Sequence, residues 1–500
     1  MADQLAPSAL PFHGNAVTVA PAFSALAESG VVFDAAYTPS PLCSPARASL
    51  LTGMLPSRTG VYDNAAEFGS AIPTFAHYLR TAGYRTVLAG KMHFCGPDQL
   101  HGFEERLTTD IYPADFGWTP DWDHPDDRPA WYHDMSSVTE AGPCIRSNQL
   151  DFDEEVTFAA ERSLFGHIRS GDERPFCYVV SYTHPHDPFT IPRPWWDRYE
   201  GADIPLPGHE DRGDVHPHER RLRAVCAMAD VAPTDDQVRA ARRAYYGAIS
   251  FVDDQIARLL TVLRETGRLD DTVVIVTSDH GEMLGERGAW YKMSFYEGSA
   301  RVPLVVSWPE RFDQARVAAA VSTMDLLPTL VDLAGDGAGS VGPTVGQLDG
   351  RSLLPHLTGQ PDTDEAVGEY LAEGAIAPIV MIRRGRHKFI HSPADPDQLF
   401  DLASDPHEHV NLADDPDRAD LIAGFRREVA ARWDLAALDR SVRLSQQRRL
   451  AVRTALRTGM RASWDYAPGY DADRRYIRND RDLGDLEREA RYPSVTQEKT

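Results

Sequence analysis

The chain has 500 residues, of which 42% are hydrophobic and 25% are charged, the usual balance of a globular protein. This composition excludes collagen, a mostly disordered chain and a disulfide-rich mini-scaffold. The 51 Lys and Arg against 75 Asp and Glu leave a net charge of −24, which disfavours nucleic acid as a partner because its phosphates are also negative.

Short apolar runs rich in β-branched residues alternate with helical patterns through most of the chain. Runs of this kind are typical of strands that are buried on both faces. The clearest helical pattern spans Ala241–Glu265, where apolar residues recur every three or four positions. The alternation predicts an α/β fold with a large, mostly parallel central sheet flanked by helices, and ligands at the carboxyl ends of its strands. The predicted strands are Arg85–Ala89, Phe176–Thr183, Thr272–Thr277 and Val302–Trp308.

Cys43 begins the first segment whose residues suggest a chemical function, although a lone cysteine is most often a small buried hydrophobe. Pro45 suits the first turn of a helix that continues through Leu51, which places Cys43 at the helix N-terminus. The helix dipole favours an anion there, and Arg47 adds a fixed positive charge. These features would hold a tetrahedral oxyanion against the Cys43 side chain.

Basic side chains follow several of the predicted strands. Each alone favours a surface or capping role. Together they lie at or soon after the carboxyl ends of parallel strands, and convergent cations suit a doubly negative transition state. The residues are Lys91 and His93, His184 and His186, and Lys292 in the loop after Asp279.

The segment Asp110–Glu155 is rich in acidic residues, and its part from Asp110 to Asp134 combines seven aspartates with six aromatic residues, among them Trp118. One interpretation is a solvated loop whose aromatic rings are anchored in the core. The other is a pocket for an organic cation, because aromatic faces and carboxylates both attract quaternary ammonium groups.

Asp279 and His280 follow the predicted strand Thr272–Thr277 directly. A carboxylate and an imidazole at the carboxyl end of a strand are suited to a divalent ion, although Asp-His-Gly also occurs in simple turns. A mainly oxygen-lined site favours Ca²⁺, with Mg²⁺ or Mn²⁺ as alternatives.

The pattern changes near residue 366, so we expect a large α/β domain over residues 1–365 and a smaller α+β domain over residues 366–500. Ile379–Arg383 and Lys388–His391 flank Gly385 and predict a hairpin. Helical patterns follow at Ala419–Trp433 and Leu438–Thr458. Seven arginines between positions 440 and 461 favour either a solvated helix face or docking on an acidic surface of another subunit.

Targeting and redox signals are sparse. No window of about eighteen uncharged apolar residues predicts a transmembrane helix, and no basic stretch followed by an apolar run predicts a signal peptide. The five cysteines are odd in number and scattered, which predicts reduced thiols in a cytoplasmic protein. We expect no membrane partner and a homodimer or homotetramer, since closed symmetric oligomers are common.

The spacing Cys43-x-Pro45-x-Arg47, with the Thr-Gly and Pro-Ser-Arg that follow it, resembles the sulfatases. The resemblance implies an alkaline-phosphatase-like sandwich and a cysteine that a formylglycine-generating maturation enzyme oxidises to formylglycine. One hydroxyl of the hydrated aldehyde attacks sulfur, and the other later expels sulfate.

The same resemblance implies roles for the remaining candidates. Lys91, His184 and Lys292 would contact the sulfate, and His93 would steer the formylglycine hydroxyls. Either Lys292 or His184 would protonate the leaving oxygen. The catalytic set is Cys43, Arg47, Lys91, His93, His184 and Lys292, and the ligands of one divalent metal ion are Asp3, Cys43, Asp279 and His280.

The chain start departs from the family pattern. Members open with an apolar strand that ends in an acidic pair or Asp-Gln, and Asp3-Gln4 fits that end without a strand before it. Either translation begins further upstream, or the first central strand is missing and leaves unpaired backbone groups in the sheet. We favour the first interpretation.

Further segments resemble the choline sulfatases in particular, namely Ser40–Arg47, Val61–Phe68, Lys91–Phe94 and the tail Tyr476–Leu483, in which Asp480-Arg481 replaces the usual His-Met. The resemblance implies a substrate pocket lined by Asn64, Trp118, His133 and Glu373. It also implies that Asp482 reaches the pocket of a neighbouring subunit.

We therefore expect a formylglycine- and metal-dependent hydrolase that converts choline-O-sulfate, a small-molecule sulfate ester, to choline and sulfate. A phosphonate monoester or phosphodiester hydrolase, or an arylsulfatase, would share Cys43, Arg47 and the metal but lack the pocket for the cation. An inactive homologue that binds choline or an anion is the alternative from another class.

Overall fold

The computed structural model describes residues 1–208, 215–335, 343–360, 363–469 and 482–491. Its strands are β1 (Val31–Tyr37), β2 (Arg85–Gly90), β3 (Glu105–Arg106), β4 (Gly142–Cys144), β5 (Phe176–Ser181), β6 (Thr190–Pro192), β7 (Val274–Thr277), β8 (Arg301–Ser307), β9 (Ala315–Ser322), β10 (Glu365–Tyr370), β11 (Ile379–Arg384), β12 (His387–Ser392) and β13 (Asp395–Asp401).

The helices are α1 (Pro21–Glu28), α2 (Cys43–Thr52), α3 (Pro56–Thr59), α4 (Phe75–Thr81), α5 (Ser136–Thr139), α6 (Asn148–Ser170), α7 (Arg193–Trp196), α8 (Pro217–Val225), α9 (Asp235–Glu265), α10 (Glu297–Ala300), α11 (Leu326–Gly335), α12 (Leu354–Leu357), α13 (Ala419–Arg432), α14 (Leu435–Leu456) and α15 (Leu483–Glu489). Among the described residues, none of these helices has the length and hydropathy needed to cross a bilayer.

The expected α/β architecture is confirmed. One group of strands has the order β3-β2-β5 and is parallel, and a second has the order β7-β8-β1-β9. Apolar side chains of both groups pack against helices, with α6 and α9 among them. A C-terminal antiparallel sheet with the order β10-β11-β12-β13 includes the predicted hairpin.

The expectation of parallel strands fails at β8, which runs antiparallel to both β7 and β1. The reason lies in the connection. Residues 278–300 remain at the carboxyl end of β7, with only the one-turn helix α10 before β8. Without a crossover helix the chain re-enters the sheet from the edge that it left, and an antiparallel strand results.

The first three residues join the two groups of strands. Ala2 pairs in parallel with Tyr182 just after β5, and its N–H donates to the carbonyl of Thr277 in β7 at 3.1 Å. Away from this bridge, β5 and β7 do not pair with each other, and an apolar cavity of about 290 Å³ lies between them. The break between the two groups of strands therefore lies between β5 and β7.

Candidate active site

Side chains from four parts of the chain meet at one edge of the sheet. Asp3 follows the residues that bridge β5 and β7, Lys91 follows β2, and Asp279 and His280 follow β7. Cys43 is the first residue of α2. All five are buried. The carboxyl ends of β2 and β7 position Lys91, Asp279 and His280, and the bridge beside β5 positions Asp3.

Cys43 lies where its helix begins, as expected from Pro45. Its side chain is 1% exposed, and its Sγ is 3.2 Å from His280 Nε2 and 3.5 Å from Lys91 Nζ. The preceding residue supplies no side-chain cap, but the N–H of Ser44 donates to Asn64 Oδ1 at 2.9 Å. Burial, followed by the charge of Asp3, raises the pKa of the Cys43 thiol to about 11.

Arg47 lies one helical turn after Cys43 and on the same helix face. Its guanidinium donates to Asp279 Oδ2 at 2.9 Å and to Asp3 Oδ2 at 3.2 Å, and a further N–H reaches Ser181 Oγ at 2.9 Å. We predicted a charge that faces the oxyanion, whereas this side chain is fully buried beneath the site, where it fixes two carboxylates.

The four predicted metal ligands form one cluster. Ligand atoms of Asp3, Cys43, Asp279 and His280 all lie within 4.8 Å of one another. His280 Nδ1 is 3.1 Å from the carbonyl oxygen of Gly281, which only accepts, so the proton is on Nδ1 and Nε2 carries the lone pair. Burial lowers the pKa of His280 to about 4, which keeps the ring neutral.

The two carboxylates of this cluster are ionised. Burial alone would raise the pKa of both, but Arg47 and Lys91 outweigh it, and the pKa of Asp279 falls well below its ordinary value. Two carboxylates and a neutral imidazole are a donor set that divalent ions accept. The residues present therefore fit the metal that the sequence motif implies.

Lys292 and His186 form a second polar pair above the cluster. Lys292 Nζ donates to Gln4 Oε1 at 2.6 Å and lies 2.7 Å from His186 Nε2. Burial and the nearby ammonium group lower the pKa of His186 to about 3, so the imidazole is neutral. Its Nδ1 donates to the carbonyl of Asp187 at 2.7 Å, which leaves Nε2 to accept from Lys292. Both side chains line a cavity of about 180 Å³ that also contains Cys43.

The structure places His184 outside the cavity, and its predicted contact with the sulfate stays a prediction. Its Nδ1 lies 2.7 Å from a carboxylate oxygen of Asp153 in α6, its ring packs against Phe251, and it does not line the cavity. Asp153 also accepts the N–H of Thr183, which fixes this part of the turn. The structure brings His186 to the cavity instead.

His93 lies behind the cavity wall. Its ring centroid is 5.2 Å from that of Tyr112 and 5.5 Å from that of Trp118, and both ring nitrogens lack a partner. Burial and then Lys91 lower the pKa of His93 to about 3. Its carbonyl accepts from Ser44 Oγ at 3.0 Å, so it also braces the start of α2.

The predicted substrate residues Asn64, Trp118, His133 and Glu373 all line the same cavity. The rings of Trp118 and Trp131 are nearly parallel, with centroids 6.3 Å apart. Most aspartates of the segment Asp110–Glu155 do not line the cavity, so the segment contributes to it through aromatic side chains. Tyr112, Trp131 and Tyr132, which belong to the aromatic set proposed for a cation pocket, also line the cavity, as does His186. The lining residues that sequence reasoning missed are Asp187, Val225, Cys226 and Met293.

Glu373 is a buried carboxylate of the cavity wall. It is 6% exposed, and its Oε2 has no hydrogen-bond partner. Burial raises its pKa to about 7. A carboxylate left unpaired at this depth is costly, which points to a cationic ligand rather than to a structural role.

Asp482 lies on the surface of the described chain, where its carboxylate caps α15 through the N–H of Gly484 at 2.8 Å. It does not reach the cavity of its own protomer, and its predicted contact with a neighbouring subunit stays a prediction. Most of the resembling tail, residues 476–481, lies outside the described residues.

Known proteins are similar to this chain in sequence and in fold. The chain matches the sulfatase family over residues 1–336 and the family of choline sulfatase enzyme C-terminal regions over residues 440–492. Choline-sulfatase of Rhizobium meliloti (strain 1021) is 48% identical, with 99% of this chain and 97% of that protein covered. A multifunctional alkaline phosphatase superfamily protein of Trinickia caryophylli is 28% identical, with coverage of 84% and 90%.

Among solved structures, the phosphonate monoester hydrolase of Agrobacterium radiobacter aligns with a TM-score of 0.67 at 26% identity, and the alignment covers 88% of this chain and 94% of that one. A putative sulfatase from Bacteroides fragilis aligns with a TM-score of 0.65, at 24% identity and coverage of 88% and 96%. The fold is thus that of the alkaline-phosphatase-like sulfatases. The chain belongs to the sulfatase family and is a sulfuric ester hydrolase of the choline-sulfatase-like kind.

Proposed function

We propose that this protein hydrolyses choline-O-sulfate to choline and sulfate. The observation that carries the proposal is Glu373, a buried carboxylate without a partner on Oε2, in the cavity that also contains Cys43 and Lys292. Trp118 and Trp131 line the same space. A trimethylammonium group has no N–H to donate, so aromatic faces and a carboxylate are the groups that attract it.

Cys43 is the proposed nucleophile after oxidation to formylglycine by a maturation enzyme. The formylglycine hydrate supplies a hydroxyl that attacks sulfur and a second hydroxyl that releases sulfate. His93 braces Ser44 next to it through its backbone carbonyl. Lys91 Nζ, 3.5 Å from Cys43 Sγ, places positive charge beside the reacting group.

Asp3, Asp279 and His280, with the modified residue 43, would hold one divalent ion, for which Ca²⁺ is the favoured candidate and Mg²⁺ and Mn²⁺ are the alternatives. When bound, the ion would supply a Lewis acid. Arg47 keeps Asp3 and Asp279 ionised and oriented for it.

Lys292 is the proposed acid for the leaving oxygen of choline. His186 Nε2 lies 2.7 Å from Lys292 Nζ, accepts its N–H and so orients it. The proton moves from Nζ to the choline oxygen as the S–O bond breaks.

Two further expectations concern the setting of the enzyme. All five cysteines are free, which suits a reducing compartment such as the cytoplasm. A homodimer or homotetramer would allow Asp482 of one protomer to approach the cavity of another.

The test is a comparison of kcat/KM for choline-O-sulfate, 4-nitrophenyl sulfate and a phenyl phosphonate monoester, with protein produced together with a formylglycine-generating enzyme. We expect choline-O-sulfate to be the preferred substrate. Preference for the phosphonate would favour the activity named for the aligned Agrobacterium structure. Binding of choline without turnover of any ester would favour an inactive binding homologue.

A further inference from the structure

Helix α14 lies far along the chain from the catalytic motifs, and its arginines resembled a solvated face. Arg449 is instead 5% exposed. Its Nη1 and Nη2 donate to the two carboxylate oxygens of Asp63 at 2.7 and 2.6 Å, and Asp63 is fully buried. A bidentate pair of this kind holds both planar groups in one relative orientation.

The same guanidinium reaches a second loop. Arg449 Nη1 also donates to Thr119 Oγ1 at 3.1 Å. Asp63 is the neighbour of Asn64, and Thr119 is the neighbour of Trp118. One side chain of α14 therefore connects the two loops from which Asn64 and Trp118 enter the cavity.

Gln446, one turn earlier on the same helix face, holds a third loop. Its Oε1 accepts from the N–H of Trp122 at 2.9 Å, and the indole of Trp122 donates to the carbonyl of Ala372 at 2.9 Å. Ala372 precedes Glu373. The chain of contacts thus extends from α14 to the carboxylate that lacks a partner.

We propose that Arg449 is a positioning residue that sets the separation of Asn64 and Trp118, and that α14 thereby determines which leaving group the cavity accepts. Arg449 does not touch the cavity. Its role is to keep the cation-binding side chains in register, and its hydrogen bonds go to Ser445, Asp63 and Thr119 rather than to Cys43 or Lys292. The assignment of the ligand as choline rests on the proposed function, whereas the positioning role does not.

The test compares R449K with R448K, because Arg448 is the exposed neighbour on the same helix. Lysine keeps the charge of Arg449 but lacks the fork that spans Asp63 and Thr119. We expect R449K to raise KM for choline-O-sulfate about tenfold or more with kcat within about threefold, because binding is lost more than chemistry. R448K should match the wild type.

A milder variant protects the test against a folding failure. T119V removes one arm of the contact without loss of volume, and we expect a smaller rise in KM in the same direction. Turnover of 3,3-dimethylbutyl sulfate separates choline specificity from positioning by Arg449. In this ester, the isostere of choline-O-sulfate, an uncharged tert-butyl group replaces the trimethylammonium group. If the wild type prefers this isostere, the choline assignment fails, but a rise in KM for the preferred ester in R449K still supports positioning.

Unchanged KM values in folded R449K and T119V would overturn the proposal. Equal loss of kcat on both esters with unchanged KM would overturn it as well, because that result assigns Arg449 to general stability.

Discussion

The site has two parts that are built in different ways. One is the cluster around Cys43, where we propose that the sulfate binds (the sulfate end), and the other is the wall of the adjoining cavity, where we propose that choline binds (the leaving-group end). At the sulfate end, Asp3, Lys91 and Asp279 follow strand ends or the bridge between strands, and Arg47 joins the two carboxylates from below. At the leaving-group end, Asn64, Trp118 and Glu373 lie on loops, and their neighbours are held by α14.

The difference separates chemistry from specificity. Strand ends share one sheet edge, so the sulfate end is a rigid platform that suits any sulfate ester. Loops have no such common frame and depend on distant partners. We expect damage at the sulfate end to affect all esters alike, and damage at the leaving-group end to affect the choline ester selectively.

The largest expected effect comes from C43A, which removes the nucleophile. Turnover of choline-O-sulfate and of 3,3-dimethylbutyl sulfate should both fall by at least about a thousandfold, because an activated nucleophile has no substitute in the cavity. C144A, at a half-buried cysteine away from the cavity, is the control. Residual turnover of either ester within about tenfold of wild type would contradict the assignment of Cys43 as the nucleophile.

The pair H186N and H184N sharpens the assignment of the two histidines. H186N should lower kcat about a hundredfold on both esters, because Lys292 loses the acceptor that orients it. H184N retains an amide opposite Asp153 and should stay within about threefold of wild type. A larger loss of kcat in H184N than in H186N in steady-state assays would assign the contact with the sulfate to His184 instead.

E373Q tests the leaving-group end through pH. Glu373 has a pKa of about 7, so in the wild type kcat/KM for the cationic ester should rise as pH increases through 7, when the carboxylate forms. E373Q should lower kcat/KM about tenfold or more above pH 7 and abolish this rise, by analogy with the loss of a desolvated charge partner. The uncharged isostere should show neither effect.

The same substitution has a predicted effect on stability. The pKa of Glu373 is raised from 4.5 to about 7 on folding, so its ionisation destabilises the folded state as pH rises through that interval. E373Q should therefore raise the free energy of unfolding above pH 7 by up to about 3 kcal/mol and change it little near pH 4.5. Thermal unfolding at both pH values measures it. A stability loss at high pH would mean that the carboxylate has an internal partner.

W118A should lower kcat/KM for choline-O-sulfate by about two- to thirtyfold, since a cation–π contact contributes roughly 0.5–2 kcal/mol. Turnover of the uncharged isostere should change less. Steady-state kinetics of both esters decides the point, and equal losses would assign Trp118 to packing alone.

The smallest effect on activity is expected beneath the sulfate end, between β5 and β7. Fusion of about six apolar β-branched residues ahead of Met1, the length of β5, should fill the apolar cavity and raise the melting temperature. A Gly-Ser extension of equal length is the control, and equal melting temperatures would contradict this account of the cavity.

Much of the sulfate end could be predicted because its signals are local. A polar residue directly after a buried strand can be recognised from the sequence alone, as with Asp279 and His280. Which of His184 and His186 would line the cavity could not be predicted, because the position of His184 depends on Asp153, 31 residues earlier in α6. The orientation of β8 likewise depends on a connection without a crossover helix.

The leaving-group end was less predictable for the same reason. The aromatic residues of the segment indicated a pocket, but their pattern did not show that Phe116, Trp122 and the neighbouring aspartates would stay outside it. The arginines of α14 suggested a surface because Asp63, the partner of Arg449, lies 386 residues away. Long-range ion pairs leave no periodic signal.

The most direct test of the account is the ratio of kcat/KM for choline-O-sulfate to that for 3,3-dimethylbutyl sulfate in the wild-type enzyme above pH 7. The two esters have the same shape and differ in the charge that Glu373 and the tryptophans are proposed to bind. We predict a preference of at least about a hundredfold for the choline ester, because two or more desolvated cation contacts add. Equal values within about threefold would contradict the central claim that the leaving-group end selects a cation.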